Sequence, residues 1–201
     1  MNAAGPPVLA FCVATFLSLL ELVTSKYQQT SFLLRKSVAF YLYGIIYGLL
    51  ALGATLGLGA LSAAGTFKLE GLGMSNVWMR AIAIGISFKA LLHIRLFSVT
   101  TGSGAFPIGV ETLVQFFEPP LTRRILLDQF NAMQAFIDPR AKKYNVLAKV
   151  KGDISDNVPA LPAQERTAFL ADVEKAATVT EAMRLYLALV GRPGFDRVFP
   201  L

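Results

Sequence analysis

The 201-residue sequence contains one cysteine and one histidine, and only 16% of its residues are charged. With Cys12 alone, no disulfide can form within the chain. Catalytic metal sites draw on several histidine, cysteine or carboxylate ligands, and His93 is the only histidine. Soluble domains average about 25% charged residues. We therefore expect no cofactor, no metal and no enzyme active site.

The hydrophobic residues, 54% of the chain, concentrate in three runs in its first half. The runs cover residues 7–25, 38–64 and 77–97, and each approaches or exceeds the roughly 20 residues that cross a bilayer. Residues 1–6 lack the lysine or arginine of a cleaved signal peptide, so we interpret the first run as a retained helix. The sequence therefore predicts an all-α membrane protein with a three-helix transmembrane region at 1–97.

The basic residues are concentrated in the membrane half. Residues 1–97 carry seven lysines and arginines against two acids, and residues 98–201 carry twelve against eleven. The nearest basic cluster outside the spans, from Arg140 to Lys151, is too short to favour DNA. We expect the lipid bilayer as partner and do not expect nucleic acid.

The orientation follows from the segments between the spans. Lys26, Arg35 and Lys36 lie between the first two runs, whereas residues 65–76 carry one basic and one acidic residue. The positive-inside rule then predicts a multi-pass protein of the cell membrane, with its N-terminus outside and everything after residue 97 in the cytoplasm. Three tyrosines fit an inner aromatic belt, namely Tyr41, Tyr43 and Tyr47.

The second half of the chain predicts a Gly-rich hinge at 98–110 and a small helical domain at 111–201. The hinge contains Gly102, Gly104, Pro107 and Gly109. Prolines predict breaks after residue 118 and at Asp138-Pro139, with an amphipathic helix between them. Its expected apolar stripe comprises Leu121, Ile125, Leu126, Phe130, Ala132, Met133, Phe136 and Ile137.

The last predicted helix has recognisable start and stop signals. Thr178 and Glu181 form a capping-box pattern, and Gly191 followed by Pro193 is typical of a helix end. The tail beyond it carries Phe195 and Phe199, which we expect to dock on the domain.

Three ionisable residues in the spans form the predicted intramembrane charge site: Glu21, Lys89 and His93. Lys89 and His93 share a helix face at i,i+4 spacing, and the predicted topology places Glu21 at the depth of His93. Because an intramembrane charge is costly, we expect Glu21 to pair with one or both. The pair is either a gate or proton-sensitive latch, since histidine titrates near neutrality, or a static structural contact.

The second span carries small residues four apart, at Gly44, Gly48, Gly53 and Gly57. Such spacing lets helix backbones approach closely. It predicts either a self-association seam or pore-lining face, or packing against the other spans of the same chain.

Two functions fit this organisation. The first is a non-catalytic, homo-oligomeric membrane effector or sensor, whose cytoplasmic domain couples a signal or a protein partner to the transmembrane bundle and to a pore. The second is a membrane-anchored accessory or scaffold subunit that recruits a cytoplasmic partner. The layout is similar to that of small prokaryotic membrane effectors, including some in antiviral defence, a likeness of architecture alone.

Overall fold

A computed structural model describes residues 4–65, 76–92, 95–101 and 104–201, with side chains described over 4–65, 76–87 and 114–201. In chain order the elements are α1 (Gly5–Lys26), a 3₁₀ helix (Ser31–Lys36), α2 (Val38–Ala63), α3 (Val77–Leu92), β1 (Arg95–Thr101), β2 (Gly104–Gly109), α4 (Val110–Lys143), α5 (Leu147–Asp156), α6 (Ala163–Lys175) and α7 (Val179–Val198). The predicted helical class is confirmed, and the departure from it is one short hairpin.

Two of the three predicted spans form helices long and apolar enough to cross a membrane, α1 and α2. The third prediction is wrong in its extent, because α3 ends at Leu92. Its 16 residues reach about 24 Å at 1.5 Å per residue, short of a hydrocarbon core of about 30 Å. The following residues, RLFSVTT, are rich in β-branched and aromatic side chains, which favour the strand β1 over continued helix.

The predicted loop at 98–110 contains an antiparallel hairpin. Phe97 of β1 lies opposite Ile108 of β2, and Thr101 lies opposite Gly104. Three predicted hinge residues, Gly104, Pro107 and Gly109, therefore belong to β2, while Gly102 lies outside the described residues. Proline is tolerated here because both strands of a two-stranded sheet are edges.

The chain divides into two compact units. Unit 1 comprises Met1–Ser25 with Val38–Arg124, and unit 2 comprises Lys26–Ser37 with Ile125–Leu201. Residues 26–37, which we call the connector, thus belong to the same unit as the C-terminal helices. The predicted domain limits at 97 and 110 stay predictions.

Within unit 1, α1 and α2 pack antiparallel through glycines. A Cβ at Gly44 would lie 2.7 Å from Leu19 Cγ, and one at Gly48 would overlap Thr15 Oγ1. From Gly44 to Gly48 the contacts on α1 move back from Leu19 to Thr15, so the two helices run in opposite directions. Only glycine permits so close an approach of the two helices.

The shorter helix α3 runs parallel to α1. A Cβ at Gly5 would lie 2.6 Å from the Trp78 ring, and one at Gly85 would lie 2.9 Å from Val13. Positions near the start of α1 therefore face the start of α3, and later positions face later ones. The predicted common direction of the first and third spans is found in these two helices.

Helix α4 is continuous over 34 residues, so the predicted breaks at its prolines are wrong. Pro119, Pro120 and Pro139 each lack the N–H that would bond to the carbonyl four residues earlier. Just after the first two prolines, the Thr122 hydroxyl donates to the carbonyls of Glu118 (2.8 Å) and Pro119 (3.1 Å), within the continuing helix. Asp138, where the second break is predicted, accepts a bond from the Gln134 side chain at 2.7 Å within the helix.

Unit 2 has its own apolar core, built from the connector and four helices. Its fully buried members include Ile137, Val150, Ile154, Met183, Tyr186, Leu187, Phe195 and Phe199, with Leu33 of the connector at 8% exposure. Phe32 of the connector packs edge-on against Phe136 of α4, with ring centroids 5.3 Å apart. The connector is therefore an integral part of this fold.

The signals predicted for the last helix are confirmed. Thr178 Oγ1 accepts from the Glu181 N–H at 3.1 Å, and the Glu181 carboxylate accepts from the Ala177 N–H at 2.8 Å. Gly191 breaks the helix with φ +66°, a conformation that favours glycine. Beyond the break, Phe195 and Phe199 are fully buried, as expected of a docked tail.

Candidate functional site

The predicted intramembrane charge site is described only at Glu21. This residue is exposed on α1 and lines a groove of about 370 Å³ between α1 and α3. Ser18 and Thr24 supply further polar groups to the described part of the lining. The Lys89 side chain and all of His93 lie outside the described residues, so their pairing with Glu21 stays a prediction.

The register of α1 and α3 bears on that prediction. Because Gly5 faces Trp78 and Val13 faces Gly85, the same offset brings Leu92, the last residue of α3, to the level of Leu19. Glu21 lies half a turn further along α1. The end of α3 and Glu21 are thus at similar depths, as the predicted pairing requires.

The structure brings together three residues of unit 1 that the sequence pattern did not group. The Tyr43 hydroxyl donates to Glu118 Oε1 at 3.2 Å, and the Tyr47 hydroxyl donates to Glu118 Oε2 at 3.3 Å. The two tyrosine rings lie one helical turn apart on α2, with centroids 4.9 Å apart. We call this set the Tyr43–Tyr47–Glu118 cluster.

Two of the three tyrosines assigned to an aromatic belt are therefore not at a lipid-facing surface. Tyr43 and Tyr47 are 2% and 5% exposed, whereas Tyr41 is 46% exposed, so its place in an aromatic belt stays a prediction. Their sequence position was the one indication of their burial. Each tyrosine directly precedes a glycine, Gly44 or Gly48, of the α2 face that packs on α1. No local pattern indicates the partner, which lies 71 residues beyond Tyr47.

Both the cluster and the groove belong to unit 1. Glu118 brings a carboxylate from α4 to the two tyrosines of α2. Hydrogen bonds to a charged acceptor contribute about 1.5–3 kcal/mol each, so the cluster is suited to holding α4 against α2.

The four glycines of the predicted seam fall into two groups. Gly44 and Gly48 are buried against α1, which is the packing alternative within the chain. Gly53 and Gly57 are exposed, and a Cβ at either would meet no atom within 4 Å. The self-association alternative therefore stays a prediction for Gly53 and Gly57.

In unit 2, the basic cluster starting at Arg140 includes one residue with a structural role. The Arg140 guanidinium donates to the Phe199 carbonyl at 2.9 Å, to the Phe136 carbonyl at 2.9 Å and to Asp196 at 2.6 Å. It also stacks 4.1 Å from the Phe136 ring centre. Since Arg140 is only 4% exposed, it anchors the C-terminal tail and is not accessible to a nucleic acid.

Within the described ranges, no three histidine, cysteine or carboxylate side chains come together as a metal-binding group. Unit 2 has a surface cleft of about 550 Å³, lined by Leu147, Ala148, Lys151, Gly152, Ser155 and Glu174. Comparison of the chain with models of known protein families, with curated proteins and with solved structures finds no match. Function is therefore inferred from the contacts and the surfaces of the described residues.

Proposed function

We propose that the chain is a non-catalytic integral membrane effector or sensor, in which unit 2 receives a signal or a cytoplasmic protein partner and α4 transmits it to the membrane helices. The carrying observation is the apolar surface of α1 and α2. In their most apolar windows only 22% and 28% of residues are buried. Soluble monomers rarely expose so much contiguous apolar surface, whereas lipid tails would solvate it.

The connector supports the proposed orientation. It joins the ends of α1 and α2, so with both helices inserted it lies at one membrane surface. Lys26, Arg35 and Lys36 are exposed on it and favour the cytoplasmic side. Since residues 125–201 form one unit with the connector, they lie on that side as well.

The same unit membership supports a return of the chain across the membrane as part of the proposal. With α2 inserted, Ala63 would lie at the outer surface, whereas Ile125 belongs to the unit proposed to be cytoplasmic. The chain between them would then cross back. The helix in that interval, α3, runs parallel to α1 and so in the required direction, although its 16 residues are too few to complete the crossing alone. The N-terminus then lies outside and the C-terminus inside.

Coupling between the two units is assigned to α4. This helix contributes residues to both, and Glu118 bonds it to α2 in unit 1. Further along, Asp128 accepts a bond from Ser37 of the connector at 2.7 Å, and Gln129 donates to Thr30 at 2.7 Å. A signal that displaces α4 would change both sets of contacts.

The proposed effector function also requires homo-oligomerisation, which we assign to the exposed Gly53 and Gly57. The membrane helices of one chain are too few to enclose a pore, so permeation requires several copies. The open glycine surface allows a second α2 to approach closely.

Topology is tested with single cysteines in a Cys12→Ala background. Gln28→Cys in the connector and Ala171→Cys in unit 2 should resist a membrane-impermeant maleimide in intact cells, whereas Ala64→Cys should react. After permeabilisation all three should react. Opposite accessibility of Gln28→Cys and Ala171→Cys, or a chain that stays dispersed without detergent, contradicts the proposal.

Effector activity is tested by reconstituting the purified protein in dye-loaded and ion-loaded liposomes. We expect oligomers and a flux that the Gly53→Leu/Gly57→Leu variant loses. Gly59→Leu is the matched control, since Gly59 is also exposed with no atom near its Cβ position but lies off that helix face. A chain that neither oligomerises nor conducts, with the membrane helices replaceable by unrelated ones, is a scaffold subunit instead.

A further inference from the structure

Three large apolar side chains of unit 2 are exposed on one region of α4. Leu126, Leu127 and Phe130 are 57%, 48% and 47% exposed. The sequence pattern places Leu126 and Phe130 in the buried stripe, but the core takes Ile125, Met133 and Ile137 from this helix. We call Leu126, Leu127 and Phe130 the apolar patch.

The apolar patch lies next to the point where α2 leaves unit 2. Asp128 lies in the same turn of α4 as the patch residues and accepts the 2.7 Å hydrogen bond from Ser37. Ser37 directly precedes Val38, the first residue of α2. The adjacent Gln129 binds Thr30 in the middle of the connector. With α2 inserted, the connector residue Ser37 would lie at the membrane surface, and this turn of α4 is hydrogen-bonded to it.

Cations are present on the two elements that contact this turn of α4, the connector and α7. Lys26, Arg35 and Lys36 are exposed on the connector at the ends of the two long helices. The Arg184 guanidinium of α7 stacks 4.5 Å from the centre of the Phe130 ring. Apolar side chains flanked by lysine and arginine are the combination that enters the headgroup region of an anionic membrane.

We infer that the apolar patch lies in the headgroup region of the cytoplasmic leaflet, with anionic lipid as its occupant. The inference rests on the proposed membrane insertion of α1 and α2. Charge complementarity and continuity with the ends of these helices favour lipid over a second copy of the chain. A second copy would bring two sets of the same cations together.

The test places an environment-sensitive NBD label on single cysteines of the full chain in nanodiscs, in the Cys12→Ala background. Labels at Leu127→Cys and Phe130→Cys report on the patch. Ala171→Cys, exposed on α6, is the control within unit 2, and Leu49→Cys, exposed on α2, reports insertion. The discs contain phosphatidylcholine with or without phosphatidylglycerol, and spin-labelled lipids serve as shallow or deep quenchers.

We expect blue-shifted emission at 127 and 130 with quenching by the shallow lipid, stronger with phosphatidylglycerol, and water-like emission at 171. Deep quenching at 49 with water-like emission at 127 and 130 overturns the inference and leaves the proposed function standing. Blue-shifted emission at 127 and 130 without lipid quenching assigns the patch to a second copy and overturns the inference. Absence of deep quenching at 49 overturns the proposed function and the inference together.

Discussion

The Tyr43–Tyr47–Glu118 cluster predicts an energetic coupling that can be measured. Replacing Glu118 by Leu removes the acceptor of both hydrogen bonds, and replacing both tyrosines by Phe removes the two donors. Because both hydroxyls donate to this one carboxylate, Glu118→Leu removes two hydrogen bonds at once. The combined variant has neither donors nor acceptor, so its loss should be less than the sum of the two separate losses.

The expected coupling follows from the geometry. Hydrogen bonds to a carboxylate contribute about 1.5–3 kcal/mol each. The distances of 3.2 and 3.3 Å are at or just beyond the long end of the usual range, so we take the lower value. Two such bonds, with Glu118 half-buried, give a coupling of about 2–3 kcal/mol.

The assay is reversible unfolding in mixed micelles with increasing SDS. Trp78, the only tryptophan of the chain, reports the unfolding of unit 1 because its ring lies against Gly5 of α1. The control cycle pairs Glu118→Leu with Tyr41→Phe, since Tyr41 lies on the same helix and is half-exposed. That pair should be additive within about 0.5 kcal/mol. A coupling below that limit for Tyr43 and Tyr47 would refute the role assigned to Glu118.

Three further predictions concern stability. Arg140→Met should destabilise unit 2 by about 3 kcal/mol, because it leaves the Phe199 carbonyl without its guanidinium donor and leaves Asp196 with Arg192 as its guanidinium partner; hydrogen exchange in α7 measures the loss, and Lys142→Met at an exposed position should change little. Burial raises the pKa of Tyr186 above its ordinary value, so the unfolded state loses this proton first. The contribution of Tyr186 to stability should be constant below about pH 10 and fall above it, and Tyr186→Phe should reduce the loss of stability measured by denaturation above that pH. Gly44→Leu should lower the melting temperature of unit 1 in detergent through its overlap with Leu19, whereas Gly59→Leu, with no atom near its Cβ position and outside the proposed seam, should leave it unchanged.

Features determined by neighbouring residues were predictable from the sequence. The Thr178–Glu181 cap, the break at Gly191 and the two long apolar helices each depend on a few consecutive side chains or on a continuous run. The end of α3 was not predictable from the sequence. The apolar run continues past Leu92 to Phe97, while the strand preference of the following residues competes with helix formation.

Features determined by distant residues were not predictable. Local rules break α4 at its prolines, but the helix continues, with Ile125, Met133 and Ile137 at its buried positions. The partner of Tyr43 lies 75 residues away, and nothing in the local sequence indicates it. A capping or periodicity argument covers a few turns, whereas these contacts depend on how whole helices pack.

The positions of the α4 contacts suggest which half of α2 can respond to unit 2. Glu118 holds α2 at Tyr43 and Tyr47, and the connector just before α2 is held at Ser37 by Asp128. Gly44 and Gly48 lie in this held half and pack tightly on α1, while the half carrying Gly53 and Gly57 has no such contacts at those glycines. If α4 moves, the half of α2 that carries Tyr43 and Tyr47 must move with it or lose these hydrogen bonds. The half that carries Gly53 and Gly57 would then move too, because α2 is one continuous helix. The proposed oligomer seam is therefore where a displacement of α4 would reach a neighbouring subunit.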